Sequence, residues 1–346
     1  MSVKQSVIIS QPQSLFMRFF EKIPGILLLL AVGYAAKIIA GYIPHMDYVL
    51  IAILLGMIIS NAVTIPQVFV PGINTYELWL KTGIVFLGAR LLLQHVAQLG
   101  GTGFLLVLIE ISVSIATVKL LERIFKIPDK MGSLIAIGVG ICGVSAIIGA
   151  TGAIEADEED ASYAIATILI FGAVAVFLYP LLGHLMGLSD TVFGFWAGLA
   201  VDNTAEAVAT GFAFSDQAGQ FATIAKLTRN ALMGVVILAF ALVYARKGMT
   251  GQVENKGQFI WSRFPKFLLG FLAFSLLGTV GFFSSDNITS LKHLSSWAFM
   301  LSFAGIGFRT EFARMRVSGF KPVIVGFGAM LAVSVVTLVM VYLVYA

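Results

Sequence analysis

Between residues 198 and 211 the stretch GLAVDNTAEAVATG sets Asp202, Asn203, Thr204, Glu206 and Thr210 inside an otherwise apolar run. An ionised acid at the centre of a membrane span costs about 2.5–3.5 kcal/mol on insertion scales, so these carboxyls must face a cavity or a partner. Asp202 and Glu206 stand four apart, on one face of a helix, and as a pair they can hold and release a coupling proton. Lys226, Arg229 and Asn230 share a face of the next helix, across the short loop 213–219. Two readings are open. The acids and bases neutralise one another so that both helices can enter lipid. Alternatively, Lys226 and Arg229 supply positive charge to an anionic solute while Asp202 or Glu206 carries the proton.

A second unusual stretch is GVGICGVSAIIGATG at 138–152, where Gly138, Gly140, Gly143, Gly149 and Gly152 accompany Ser145 and Thr151. So many glycines disfavour a continuous helix, and local unwinding is expected. In lipid, freed backbone survives only where protein buries it or it lines a cavity, and half-helix N-termini there present partial positive charge to an anion. Close helix packing by small residues is the alternative. Cys142 is the sole cysteine, which excludes an intramolecular disulfide and a cysteine-based zinc site, and it reads as a small buried hydrophobe. No His-Glu-x-x-His motif occurs and Ser145 has no placed base, so no enzyme, catalytic residue or metal site is expected. Arg90 and Glu110 are equidistant from a turn expected at 98–101 and form a candidate structural bridge, whereas Arg309 is expected to snorkel to the cytoplasmic interface.

The elements that must position these residues follow from composition. Hydrophobic residues make up 59% of 346 positions and charged residues 12%, a balance that leaves a soluble globule too little polar surface. Lipid is therefore the solvent. The formal charge of +4 lies in short loops rather than on one face, which argues against nucleic acid. Apolar runs at 23–43, 47–63, 78–97, 102–121, 132–152, 161–186, 191–212, 222–245, 263–283, 289–312 and 319–345 give an all-α polytopic protein of about 11 transmembrane helices. A tail, 1–22, precedes a single transmembrane domain, 23–346. Lys4, Arg18 and Lys22, then Arg123, Lys126 and Lys130, the polar loop 246–266, and Arg314, Arg316 and Lys321 fall on one side of that path. The positive-inside rule makes that side the cytoplasm and puts the N-terminus there. The acidic run Glu155, Asp157, Glu158, Glu159 and Asp160 is then expected on the outside.

Two internal echoes raise the question of a repeat. GARLLLQHVAQLG (88–100) matches GFRTEFARMRVSG (307–319) in register, in hairpins of opposite direction. The stretch 138–152 pairs with 198–211, but with eleven full spans the two run parallel. An inverted repeat requires them antiparallel, so either the second echo is chance or one segment is re-entrant.

The motif GVGICGVSAI, the acidic stretch after it, ASYAIATILIFG, LYPLLG, GLSDTVFGFWAGLAVDNTAEAV and ATIAKLTRNALM resemble the YeiH-type sulfate exporter family from about residue 25 to the end. The resemblance implies a multi-pass carrier of the bacterial inner membrane, distantly like the bile acid:sodium symporter and auxin-carrier folds. It implies an internal repeat, with discontinuous helices crossing near the midplane between a core and a panel. On that likeness Cys142, Gly143 and Ser145 lie at the unwound segment, and Asn203, Thr204, Lys226 and Arg229 bind the solute beside Asp202 and Glu206. Asp202-Asn203-Thr204-Ala205-Glu206 stands where family members carry His-Asp-Thr-Ala-Gln, so a dianion is accommodated only with the added acids protonated or paired. The expected function is alternating-access transport of a sulfate, sulfonate or carboxylate anion, linked to protons. The alternatives are a sodium-coupled organic-anion symporter, in which Asp202, Asn203 and Glu206 ligate the cation, and a receptor or channel. No cofactor is expected beyond a coupling proton or sodium ion. The bilayer and a small anion are the expected partners, and a homodimer is an open alternative.

Overall fold

A backbone without water around it must satisfy its own hydrogen bonds, and the described elements of this chain are helices. The computed structural model describes residues 20–42, 48–91, 93–251, 255–310 and 320–345, with 93–102 described in backbone only. The first part of the chain forms α1 (Ile23–Ala40), α2 (Tyr48–Ala62), α3 (Val70–Ile73), α4 (Tyr76–Gly88) and α5 (Leu93–Phe125). Then come α6 (Asp129–Gly140), α7 (Val144–Thr151), α8 (Glu158–Leu185), α9 (Asp190–Ala200), α10 (Thr204–Phe214), α11 (Asp216–Ala231) and α12 (Met233–Arg246). The chain closes with α13 (Lys256–Arg263), α14 (Phe267–Thr279), α15 (Ser285–Arg309) and α16 (Phe320–Tyr345). Most of the N-terminal tail, and residues 311–319 of the first echo, lie outside the described residues.

Among the described residues 5 helices are long and apolar enough to cross a membrane: α1, Gly103–Phe125 of α5, α8, Asp216–Arg246 and α16. Counting α13 with α14, which are bent by 71° to each other, raises this to 6. The expected count of about 11 full spans is not reached by that measure. Helices α2 and α4 have only 15 and 13 residues, and the runs 132–152 and 191–212 are each broken in two. The turn expected at 98–101 falls instead at 89–91, because α5 continues unbroken from Leu93.

Contacts at the roots of the two broken segments show how they run. Lys130 Nζ donates to the Glu155 carbonyl at 2.5 Å, so the start of α6 and the chain beyond α7 lie together. The Gly251 amide donates to Glu155 Oε1 at 3.2 Å, and Tyr244 Oη and Lys247 Nζ reach Asp129 Oδ2 at 2.9 and 3.3 Å. The segment α6–α7 therefore enters and returns on the face that carries the basic loops after α5 and α12. The acidic run at 155–160, expected on the outside because α6–α7 was taken as a crossing, is on this same basic face. In the second segment the Ser215 hydroxyl donates to Asp190 Oδ1 at 2.6 Å, which joins the end of α10 to the start of α9. Helix α8, 28 residues or about 42 Å at 1.5 Å per residue, separates the two roots. The hairpins thus dip in from opposite faces. Their tips meet: a Cβ built on Gly143 would lie 3.2 Å from Asn203 Cα.

Buried apolar side chains segregate into two large bodies, with a smaller cluster of Leu29, Val32, Ile73, Leu301, Ala304 and Phe308 beside them. One gathers buried residues of α5–α9, such as Ile111, Ile137, Ile168 and Phe195, with Val333 of α16. Trp196 Nε1 donates to the Ser334 carbonyl at 3.0 Å and fastens α9 to α16. The other gathers Ile53, Ile84, Phe271, Phe299 and Phe303 from α2, α4, α14 and α15. Helix α10 belongs by chain to the first body, yet packs Ala205, Val208, Ala209 and Phe212 into the second. At the face away from the basic loops, Asp216 bridges Arg90 (3.0 Å) and Lys292 (4.0 Å). Arg90 is therefore committed to Asp216, and the Arg90–Glu110 bridge expected from the sequence is not formed. Arg309 reaches Asn74 Oδ1 at 3.4 Å.

The hairpin topology predicts that single cysteines placed at Glu158 and Lys247, in a Cys142→Ser background, react with an impermeant maleimide from the same side of sealed vesicles. A cysteine at Gly187 reacts from the other side. Labelling of positions 158 and 247 from opposite sides would make α6–α7 a full crossing.

Candidate functional site

A helix that stops inside a membrane leaves carbonyls at its C-terminal end and N–H groups at its N-terminal end without partners. At each hairpin tip one helix ends and another begins, so both kinds of end are crowded into one place. The carbonyl ends of α6 and α9 are satisfied by α11. Arg229 Nε donates to the Ile141 carbonyl at 2.6 Å, while its two terminal nitrogens donate to Val139 and Leu199. Lys226 Nζ donates to the Val201 carbonyl at 2.7 Å. Both side chains are 0% exposed. Cations at helix C-termini also oppose the helix dipole, an effect that grows with burial.

Three acids surround these two bases. Glu110 of α5 and Asp202 of the second tip lie 3.6 and 3.8 Å from the Arg229 guanidinium, and all three are 0% exposed. Glu206 is buried one turn further along α10, where Gly172, having no side chain, makes room for its carboxylate. Among the described residues, both oxygens of Glu110, both of Asp202 and Oε2 of Glu206 have no hydrogen-bond partner. Of the two bases only Arg229 has carboxylates this near among the described residues, so the mutual neutralisation foreseen for both is met in part and not as a simple pairing. Arg229 spends its hydrogen bonds on carbonyls and meets the carboxylates only through space.

The N-terminal ends face the other way, into a cavity of ≈ 370 Å³ bounded by α4, α7, α10, α11, α12 and the junction of α13 with α14. Gly143, with φ 66° and ψ −125°, turns the chain into α7 in a conformation that favours glycine, and offers no side chain to cap that helix. The first turn of α7, Val144 and Ser145, lines the cavity beside Cys142, and Thr204 and Ala205 of α10 line it opposite. Asn203 caps α10 by accepting from the Ala205 amide at 3.1 Å. Behind them Asn230 Nδ2 donates to Thr204 Oγ1 at 3.0 Å. Arg263, Lys266 and Lys81 add positive charge at the rim, with Glu77 taken up by Lys81 at 3.0 Å.

The structure thus brings Cys142, Ser145, Asn203 and Thr204 together on one cavity, with Gly143 at the turn that shapes it. It does not bring Lys226 and Arg229 there. Expected to offer their charge directly to a solute, they are withdrawn behind the tips, because the carbonyls of two interrupted helices take up their donors. Asp202 and Glu206 are buried with them. The sequence reading did not find Tyr76, Lys81 and Met233 at the site, since each is an ordinary residue of an apolar helix until α4 and α12 are packed beside the tips. Glu110, expected to bridge Arg90, stands beside Arg229 instead.

Broken helices dipping from both faces toward a shared polar centre, in a chain with several apolar spans, define a multi-pass membrane protein. Residues 24–326 match the family model described as Conserved hypothetical protein 698, and the chain belongs to that family, the YeiH family its motifs resemble. It is 34% identical to a UPF0324 membrane protein of Nitratidesulfovibrio vulgaris strain Hildenborough, over 96% of this chain and 99% of that one. It is 31% identical to a UPF0324 membrane protein of Clostridium tetani strain Massachusetts, over 90% of this chain and 94% of the relative. UPF0324 membrane protein SAG1125 of Streptococcus agalactiae is 32% identical over 94% and 98%. No solved structure matches the chain.

Removal of the Arg229 side chain leaves three buried carbonyls and two buried acids uncompensated. Arg229→Ala is expected to destabilise the protein by about 3–5 kcal/mol, the cost typical of breaking a buried charge network from one side. Thermal unfolding of purified variant in detergent measures this; an unchanged midpoint would mean that the tips do not depend on the guanidinium.

Proposed function

We propose that the protein is a secondary carrier that moves a small anion by alternating access. One observation supports the reading above the others: the N-terminal ends of α7 and α10 are presented to one cavity while the carbonyl ends beside them are neutralised by Arg229 and Lys226. What the cavity senses is then the positive end of two helix dipoles, an arrangement suited to an anionic head group. Carriers with half-helices at mid-depth commonly build them as an inverted repeat. The echo between 138–152 and 198–211 fits such a repeat, since the break at 141–143 and the break at 201–203 fall at the same offset in each stretch.

The cavity opens beside Arg263 and Lys266, toward the basic face, which the positive-inside rule makes cytoplasmic. On this reading the structure is the inward-open state, the N-terminus is cytoplasmic, and the membrane is the bacterial inner membrane. The opposite side is closed where Asp216 holds Arg90 and Lys292 and where Phe212 of α10 packs on Phe299 of α15 at 4.9 Å. Alternation moves the hairpin body against the body of α2, α4, α14 and α15, and opening outward requires these contacts to part. Asp202 and Glu206 carry the coupling proton. Three buried carboxyls against two buried cations leave one negative charge in excess, and a bound proton removes it. The cargo belongs to the sulfate, sulfonate and carboxylate class.

Purified protein in proteoliposomes is expected to catalyse saturable counterflow of a labelled anion and to accumulate it in response to a pH gradient. Glu206→Gln is expected to bring the ratio of gradient-driven to counterflow rate toward one; an undiminished ratio would assign the proton to another group. A sodium requirement with no pH response would replace proton coupling by sodium coupling, and absence of counterflow for every anion would end the carrier reading. Asp216→Asn should increase labelling of Cys142 from the side opposite the basic loops. Unchanged labelling would mean that Asp216 does not hold that side closed.

A further inference from the structure

The cavity offers more than an anion site. Its volume of ≈ 370 Å³ lies in the about 300–1,000 Å³ range of pockets that enclose organic ligands. Away from the helix ends its walls are apolar, formed by Leu80, Met233, Phe264 and Phe267. A bare tetrahedral oxyanion seated on the ends of α7 and α10 has nothing to set against those walls. The second observation is Asn230. This side chain lines the cavity, is 3% exposed, and spends its Nδ2 on Thr204, while its Oδ1, itself buried, has no hydrogen-bond partner among the described residues. A buried acceptor left unpaired is costly, and a ligand donor that reaches it from the cavity offsets that cost. Thr204 stands at the start of α10, so the donor is required within one or two bonds of the anionic head group that this helix end receives.

Resting on the carrier reading of the same cavity, we infer that the ligand is a small organic acid. It has a carboxylate or sulfonate head at the ends of α7 and α10, a hydroxyl or amino donor next to that head on Asn230 Oδ1, and an apolar remainder against Leu80, Met233 and Phe267. Inorganic sulfate satisfies the first of these three demands and neither of the others.

The test is a thermal-shift titration of the purified full-length protein. The probes are sulfate, propionate, 2-hydroxypropionate, 2-aminopropionate, ethanesulfonate, 2-hydroxyethanesulfonate and 2-aminoethanesulfonate, which separate the two head groups and the two donors. Within at least one series the hydroxy or amino acid is expected to bind about tenfold more tightly than its parent, a difference one satisfied hydrogen bond supplies, and more tightly than sulfate. In Asn230→Ala that advantage disappears, and parent and substituted acids bind alike. Sulfate binding as tightly as the best organic acid, equal affinity of parent and substituted acids in the unaltered protein, or a preference that survives Asn230→Ala would each overturn the inference. Any of these outcomes still leaves an anion bound and the carrier reading standing. No stabilisation by any anion would remove both.

Discussion

Arg229 is the interaction on which the rest of the structure depends. Two helices stop in the middle of the protein, and one guanidinium, with help from Lys226, receives the carbonyls that both leave behind. Water performs that service at a helix end on a surface. At this depth a side chain must do so, and arginine suits the task because its donors form a rigid planar fork that stays charged. With the carbonyl ends taken up by these side chains, the amide ends of the same interruptions are left on the cavity, in company with Arg263 and Lys266.

The three acids follow from the same arrangement. A buried guanidinium bonded only to carbonyls retains its full positive charge, and Glu110 and Asp202 at 3.6 and 3.8 Å offset it without competing for its hydrogens. Glu206 lies on the same face of α10, in space opened by Gly172. Such a network ties α5, both hairpin tips and α11 into one unit. Helix α10 connects it to the second apolar body through Ala205, Val208, Ala209 and Phe212. The surface along which the two bodies meet is therefore also the wall of the cavity, so relative movement of the bodies must alter access to it.

Much of this was legible in the residues. The apolar runs marked a multi-pass helical chain but not its number of full spans, and the glycines of 138–152 marked an interruption that occurs at Ile141–Gly143. The polar cluster Asp202–Glu206 reads from the sequence as one helical face, whereas the chain breaks at 201–203 and Asp202 lies before the helix that carries Glu206. Of the residues expected around a solute, Cys142, Ser145, Asn203 and Thr204 line one cavity, and Lys226 and Arg229 do not. The side assigned to 155–160 was wrong because a run long enough to cross was taken to cross. The contact of Lys130 with Glu155 shows that this run returns. With both runs folded back on themselves, the two stretches of the second echo enter from opposite faces.

The sequence by itself determined that the chain is helical, that lipid surrounds it, and that a helix fails within 138–152. These are local properties, set by hydropathy over some 20 residues and by glycine's effect on backbone freedom. Only the tertiary structure decided which way each interrupted segment turns, which acids attend Arg229, and that Lys226 and Arg229 serve carbonyls rather than the cavity. Those outcomes depend on residues far apart in the chain. Arg229 is 88 positions from Ile141, and no pattern in either neighbourhood encodes the other.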